Sequence, residues 1–362
     1  YIEMLNTAEG VKSDSKLSTE AATIAWQEYF QKYEINGSDS SDKTAAAKQA
    51  REKLMQQAKY IDNYKGIIED KRQTAILYAT AGTYKKNSFE YNNLLKTQYD
   101  LSQIIDADVQ LSNGLWLEKL YKNNYIHLLT LITCVYTVYM FFSERKNGLY
   151  HIVHTGQSGR GVLFVKRSII LLIQAVVTNV ALYTESAVML LNRYDGVKDL
   201  NVAAVSDEYF ILTSGKLSRI QFLGLIILLS ILANVVLSLV LWAILLCFGN
   251  VNIGLFFYCC ICVADVVIYK VISAKSILQI FKYLNVYYLF FPNKAAEYFN
   301  WGCFNIAVSL LTTTIIVSVF IGILALFASA YISIRKYFTG KMNIVENAIE
   351  LILTYIMRLM VK

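Results

Sequence analysis

The sequence predicts an all-α polytopic membrane protein carrying a helical extracellular domain, and three observations lead to that prediction. Hydrophobic residues make up 56% of the 362 positions, above the roughly 45–50% of soluble domains, and the mean hydropathy is +0.41. The apolar residues are also segregated. Positions 1–124 are charged and polar, whereas from Tyr125 onward hydrophobic blocks alternate with short charged loops. Finally, five blocks approach or exceed the ~20 residues that cross a bilayer: 125–142, 168–191, 220–248, 253–272 and 304–334.

The chain divides accordingly into an extracellular helical domain (1–124), a transmembrane domain (125–336) and a tail (337–362). In the first part, Ala22, Ile24, Ala25, Tyr29 and Phe30 recur at helical spacing, and 45–58 is rich in Ala, Lys, Gln and Glu. Leu94, Leu95, Tyr99, Leu101 and Ile104 continue the pattern behind Ser88, a predicted N-cap. Asn36-Gly37-Ser38 and Ala81-Gly82 read as breaks, so two to four helices are expected.

Orientation follows from basic residues in the short loops. Arg145, Lys146, Arg160, Lys166 and Arg167 face only Glu144 in 143–167, and Arg335, Lys336 and Lys341 follow the last span. The stretch 193–219 instead mixes its bases with Asp195, Asp199, Asp207 and Glu208. The positive-inside rule then places 143–167 and the tail in the cytoplasm and 1–124 outside. An odd number of spans, a first residue that is Tyr1 and the lack of a signal peptide lead us to expect a sixth, N-terminal span missing upstream. The segment 277–291, with Lys282 and several aromatic residues before Pro292, is expected at the outer interface.

The net charge of +7 lies in the membrane half, where it reports topology and not nucleic acid. All six cysteines (134, 247, 259, 260, 262, 303) fall in or beside apolar segments and read as small packing residues. His127, His151 and His154 lack a carboxylate cluster, so no metal site is expected. No Ser/His/Asp or paired-carboxylate arrangement emerges, and the chain is not read as an enzyme.

Two groups of residues stand out. Asp265 lies inside the fourth span and Glu185 toward the outer end of the second, with Gln174, Asn179 and Asn234 adding polarity at comparable depth. Such residues are costly in hydrocarbon and mark candidate substrate paths, or else helix–helix hydrogen bonds. The second group is the loop 143–167 and its GQSGRG stretch (Gly156, Gly159, Gly161). A phosphate-binding loop requires G-x-x-x-x-G-K-[ST], whose lysine reaches the phosphates, and no match occurs. The glycines read as bends, and no nucleotide is expected on this chain.

In the order of its parts the loop resembles the ABC transporter permeases of the ABC-2 class, in particular those of Gram-positive exporters. The matching positions are Glu144, Gly148, Leu149, Gly159, Arg160, Gly161, Leu163 and Lys166, supported by LWLEKLYKNNY (115–125) and by 282–306. The likeness covers roughly 115–336 and hardly touches the sequence of the N-terminal domain. It implies an exporter permease, working as a homodimer or with a sister permease in the cell membrane, with ATP and magnesium bound by a separate cytoplasmic ATPase. The loop would be a coupling helix docked on that ATPase, with Tyr150, Ile152 and Val153 as an apolar knob and Glu144 and Arg145 at its rim. The expected cargo is amphipathic: a peptide such as a bacteriocin, a lipid or a drug. A mechanotransmitting subunit acting through its extracellular domain, and a receptor or sensor without an ATPase, are the alternatives.

Overall fold

The structure is a computed structural model that describes residues 40–110, 114–146, 159–194, 196–248, 251–272, 281–282, 285–290, 300–303 and 305–335. Two compact units divide the chain. The first takes in Tyr1–Lys122, Thr184–Leu225 and Asn293–Val308; the second takes in Asn123–Tyr183, Ile226–Pro292 and Ser309–Lys362.

In the first unit, α1 (Ser40–Thr80) and α2 (Phe89–Ile104) form an antiparallel hairpin. α1 stops where Gly82 takes a left-handed φ of +68°, the conformation that commonly ends a helix. Ser88 caps α2 as its position predicts, its hydroxyl accepting a hydrogen bond from the Tyr91 amide at 3.3 Å. Tyr60, Tyr64 and Ile68 recur every four residues and so share one face of α1, which packs on Leu101 and Ile104 of α2. Both phenols are tied into this core. Tyr60 donates to the Val205 carbonyl at 2.6 Å and Tyr64 to that of Ile104 at 2.9 Å.

Val205 belongs to a stretch the sequence presents as a charge-balanced loop. It is instead folded into short 3-10 turns (Gly196–Asp199, Ala204–Ser206, Glu208–Phe210). Phe210 packs edge-on against Tyr121 of α3 (Leu115–Tyr121), with ring centroids 5.7 Å apart. The first unit is therefore wider than the span 1–124 expected from composition, because it also recruits 184–225 and 293–308.

Two further expectations change. The last apolar run, read as a helix from 304, begins with a hairpin of two short strands, β1 (Asn300–Cys303) and β2 (Ile306–Ser309). Asn305 sits at φ +66° between them, where a helix cannot form. The hairpin is held to α2 by Asn92, which donates to the Asn305 carbonyl at 2.7 Å, and by Asn300, which donates to Asn93 at 2.8 Å. A small sheet thus joins the helices of a chain expected to be all-α. The loop 143–167 is also shorter than expected, since α4 (Asn124–Lys146) and α5 (Gly159–Arg193) both extend into it.

The second unit is built from α4, α5 up to Tyr183, α6 (Arg219–Cys247) from Ile226 onward, α7 (Val251–Val271) and α8 (Leu310–Arg335). Five stretches are long and apolar enough to cross a membrane: Leu115–Ser143, Gly161–Arg193, Arg219–Cys247, Val251–Val271 and Leu310–Ser333. Their side chains are sorted opposite to those of a water-soluble protein. On α5, Ile169, Ile170, Leu172, Ile173, Val176, Val177 and Val180 are exposed, while Asn179 is buried. On α8, Ile316, Phe320, Ile323 and Phe327 are exposed, while Thr314, Ser318 and Ser329 are buried. Exposed apolar surface of this extent calls for lipid around it, and small or polar residues at the contacts are what membrane helices use to pack closely.

Candidate functional site

The second unit gathers its polar residues into a seam and a cavity. The seam runs along α6, where Ser230, Asn234, Ser238 and Trp242 recur every four residues and are all buried. That spacing aligns them on one face of the helix. Ser230 donates to the Asn179 side-chain carbonyl at 2.5 Å, and the Asn179 amide donates to the Ala175 carbonyl at 2.7 Å. Ser238 donates to Cys134 at 3.0 Å, and that sulfur lies 3.9 Å from the Tyr258 hydroxyl. Gln174 reaches the Thr133 hydroxyl at 3.1 Å. Asn234 differs: neither amide atom has a hydrogen-bond partner among the described residues, although its side chain is buried. In a low-dielectric setting an unmet amide is expensive, so Asn234 is a costly position of the seam. To a lesser degree so are Trp242, whose indole N–H, and Gln174, whose side-chain carbonyl, lack a partner among the described residues.

The cavity, of about 180 Å³, is lined by four elements of the same unit. His127, Leu128 and Leu131 come from α4, Leu237 from α6, Cys262, Asp265 and Val266 from α7, and Tyr287 and Phe290 from the 3-10 turn Val286–Phe290. Positions 262, 265 and 266 are one helical face by their spacing. The turn is fastened to α7 at Asp265 itself, since the Asn285 side-chain amide donates to the Asp265 backbone carbonyl at 3.3 Å and the Asn285 side-chain carbonyl accepts from the Tyr288 amide at 2.9 Å. Val286, Tyr288, Leu289 and Phe290 are buried there. Of the interfacial segment expected over 277–291, the described part at 285–290 is therefore a packed turn. His127 is buried, with its ring 4.7 Å from that of Phe290.

The five candidate path residues separate. Asp265 lines the cavity, whereas Gln174, Asn179 and Asn234 do not. Asn179 and Gln174 serve in side-chain hydrogen bonds within the seam, and Glu185 is exposed in the first unit. Helical phase explains the division, because Leu237 of α6 faces the cavity and the 230–234–238 face points elsewhere.

Of the coupling positions, Gly148, Leu149, Tyr150, Ile152 and Val153 lie outside the described residues. Glu144 and Arg145 fall in the last turn of α4, and Arg160 and Lys166 in the first turns of α5, with Lys166 exposed. Arg167, which the sequence offers only as a topology charge, has a structural role. Its side chain is buried, donates to the Phe141 carbonyl at 3.0 Å and lies 5.4 Å from that ring's centre. It fastens the end of α4 to the start of α5 by a charged hydrogen bond and a cation–π contact. A basic residue about two turns inside an apolar helix is the signal that could have flagged it.

Among the described residues no group of three His, Cys, Asp or Glu is placed to hold a metal ion. Fold and site define a helical, multi-pass membrane protein with a single-carboxylate cavity among its spans. Comparison with known families, with curated proteins and with solved structures gave no match.

Proposed function

We propose that the chain is the permease subunit of an ATP-driven ABC exporter for an amphipathic cargo, acting as a homodimer or beside a sister permease. The observation that carries this reading is the ordered series Glu144, Gly148, Leu149, Gly159, Arg160, Gly161, Leu163 and Lys166 between the first two spans. The helix geometry suits the role. α5 runs without interruption from Gly159 to Arg193, and Arg167 binds its base to α4. A push on the loop would then move two spans together, as packed helices shift in switching transitions.

In this reading Tyr150, Ile152 and Val153 dock on the ATPase from the cytoplasm, the first unit lies outside the cell, and ATP is hydrolysed on the partner. Asp265 and its cavity belong to the cargo's route.

The test is purification of the chain from its native membrane and assay of vanadate-sensitive ATP hydrolysis. Ile152→Asp with Val153→Asp should strip the hydrolysing partner while leaving the chain in the membrane. Hydrolysis retained at the wild-type level would refute the docking role.

A further inference from the structure

We propose that the cavity around Asp265 is a binding site for an organic cation, an ammonium-type head carried on a small apolar or aromatic body. Asp265 is half-buried in a helix apolar enough to span a membrane. Its carboxylate has no hydrogen bond or ion pair among the described residues, only its backbone carbonyl being engaged, by Asn285. An uncompensated carboxylate in such a place is costly and marks a functional site.

The lining decides which counter-charge fits. A hard metal ion calls for several oxygen ligands, whereas Asp265 is the one carboxylate of this wall. His127 and Cys262 also line it, but among the described residues no three such groups are placed to hold a metal ion. The rest is Leu128, Leu131, Leu237, Val266, Tyr287 and Phe290. Two of those are aromatic, with ring centroids 6.1 Å apart. Aromatic faces attract an alkylammonium group and cost it little hydration. The volume, about 180 Å³, suits a single-ring ligand, since an engineered apolar cavity of about 150 Å³ takes up benzene. Carboxylate, rings and aliphatic floor together select a cation with an apolar body.

The inference deepens the permease reading by naming the charge of the cargo, yet it is tested on the isolated chain without any ATPase. Loss of ATPase coupling would thus leave it standing, and its failure would leave coupling standing. The probe is benzyltrimethylammonium, titrated calorimetrically into the full chain in lipid nanodiscs. Its neutral isostere neopentylbenzene, in which carbon replaces the charged nitrogen, is the competitor. Asp265→Asn should weaken cation binding at least tenfold, Asp265→Glu should retain it within a few fold, and the neutral isostere should not compete. Equal binding by wild type and Asp265→Asn, or full competition by the isostere, would overturn the site.

A second measurement keeps Asp265 intact. Cys262 lines the same cavity, so in a Cys259→Ser, Cys260→Ser background the cation should slow alkylation of Cys262 by a small thiol reagent at least fivefold. An unchanged rate at saturating cation would refute the assignment.

Discussion

Arg219 holds Asp207 in a two-pronged ion pair, Nε to Oδ2 at 3.1 Å and Nη2 to Oδ1 at 3.0 Å. The Arg219 side chain is fully buried and that of Asp207 is 11% exposed. Burial pushes the Asp207 carboxyl up from its ordinary value, and the Arg219 guanidinium opposes that shift. The pair anchors the folded stretch 196–218 to the first residue of α6. Arg219 also lies 3.9 Å from the Asp199 carboxylate and donates to the Asp199 backbone carbonyl at 3.4 Å. Asp207→Ala should therefore lower the stability of the first unit by about 2–4 kcal/mol, short of the full cost of a buried charge with no partner. Thermal melting of the purified variant checks it, and a cost under about 1 kcal/mol would show Arg219 satisfied by other groups.

Gly114 owes its identity to the same carboxylate. A Cβ there would lie 1.9 Å from both Asp207 oxygens, so the side chain or backbone must shift. Gly114→Ala should cost about 1–3 kcal/mol. The cost should shrink in the Asp207→Ala background, because the two changes act on one contact. Additive costs in the double variant would contradict the clash.

The α1–α2 core should be sensitive to alkali. Burial raises the Tyr60 and Tyr64 phenols well above their ordinary value of 10.0, and each donates to a carbonyl only while protonated. Their contribution is complete below pH 10 and is lost as pH climbs through the raised values. The first unit should therefore lose helical signal by circular dichroism above about pH 10. Tyr60→Phe with Tyr64→Phe should flatten that dependence while costing roughly 1–3 kcal/mol at neutral pH for the Val205 carbonyl, and less for the Ile104 carbonyl, which still accepts from the Ala107 amide at 2.9 Å. An unaltered alkaline transition would assign it elsewhere.

Within the spans, Ser230 and Asn179 should couple weakly. A double-mutant cycle with Ser230→Ala and Asn179→Ala, followed by unfolding in mixed micelles, should return about 0.6 kcal/mol and at most about 1.7 kcal/mol. A coupling near zero would mean that the 2.5 Å contact contributes packing only.

The sequence disclosed the spans because their chemistry is one-dimensional: a helix in lipid must be apolar for some twenty successive residues. Ser88 was legible as a cap for the same reason, since its partner is three residues away. What stayed hidden needs contacts across the chain. Tyr60 meets Val205 across 145 positions, so no local pattern could assign 196–218 to the helical hairpin. The strands at 300–309 were masked because Ile306, Ala307 and Val308 extend the hydropathic run of α8. The cavity was half legible. Asp265 announced itself as a carboxylate within a span, whereas His127, Tyr287 and Phe290 looked like ordinary span and belt residues until the fold brought them beside it.

The central claim is that the segment between α4 and α5 is where an ATPase presses on this chain. The most direct measurement places a photo-crosslinking amino acid at Tyr150 and, as control, at Tyr136, which is exposed in mid-span. In native membranes Tyr150 should crosslink to a polypeptide that is itself labelled by a photoreactive ATP analogue, and Tyr136 should not. Crosslinks from Tyr150 that reach only lipid or the chain itself would contradict the account.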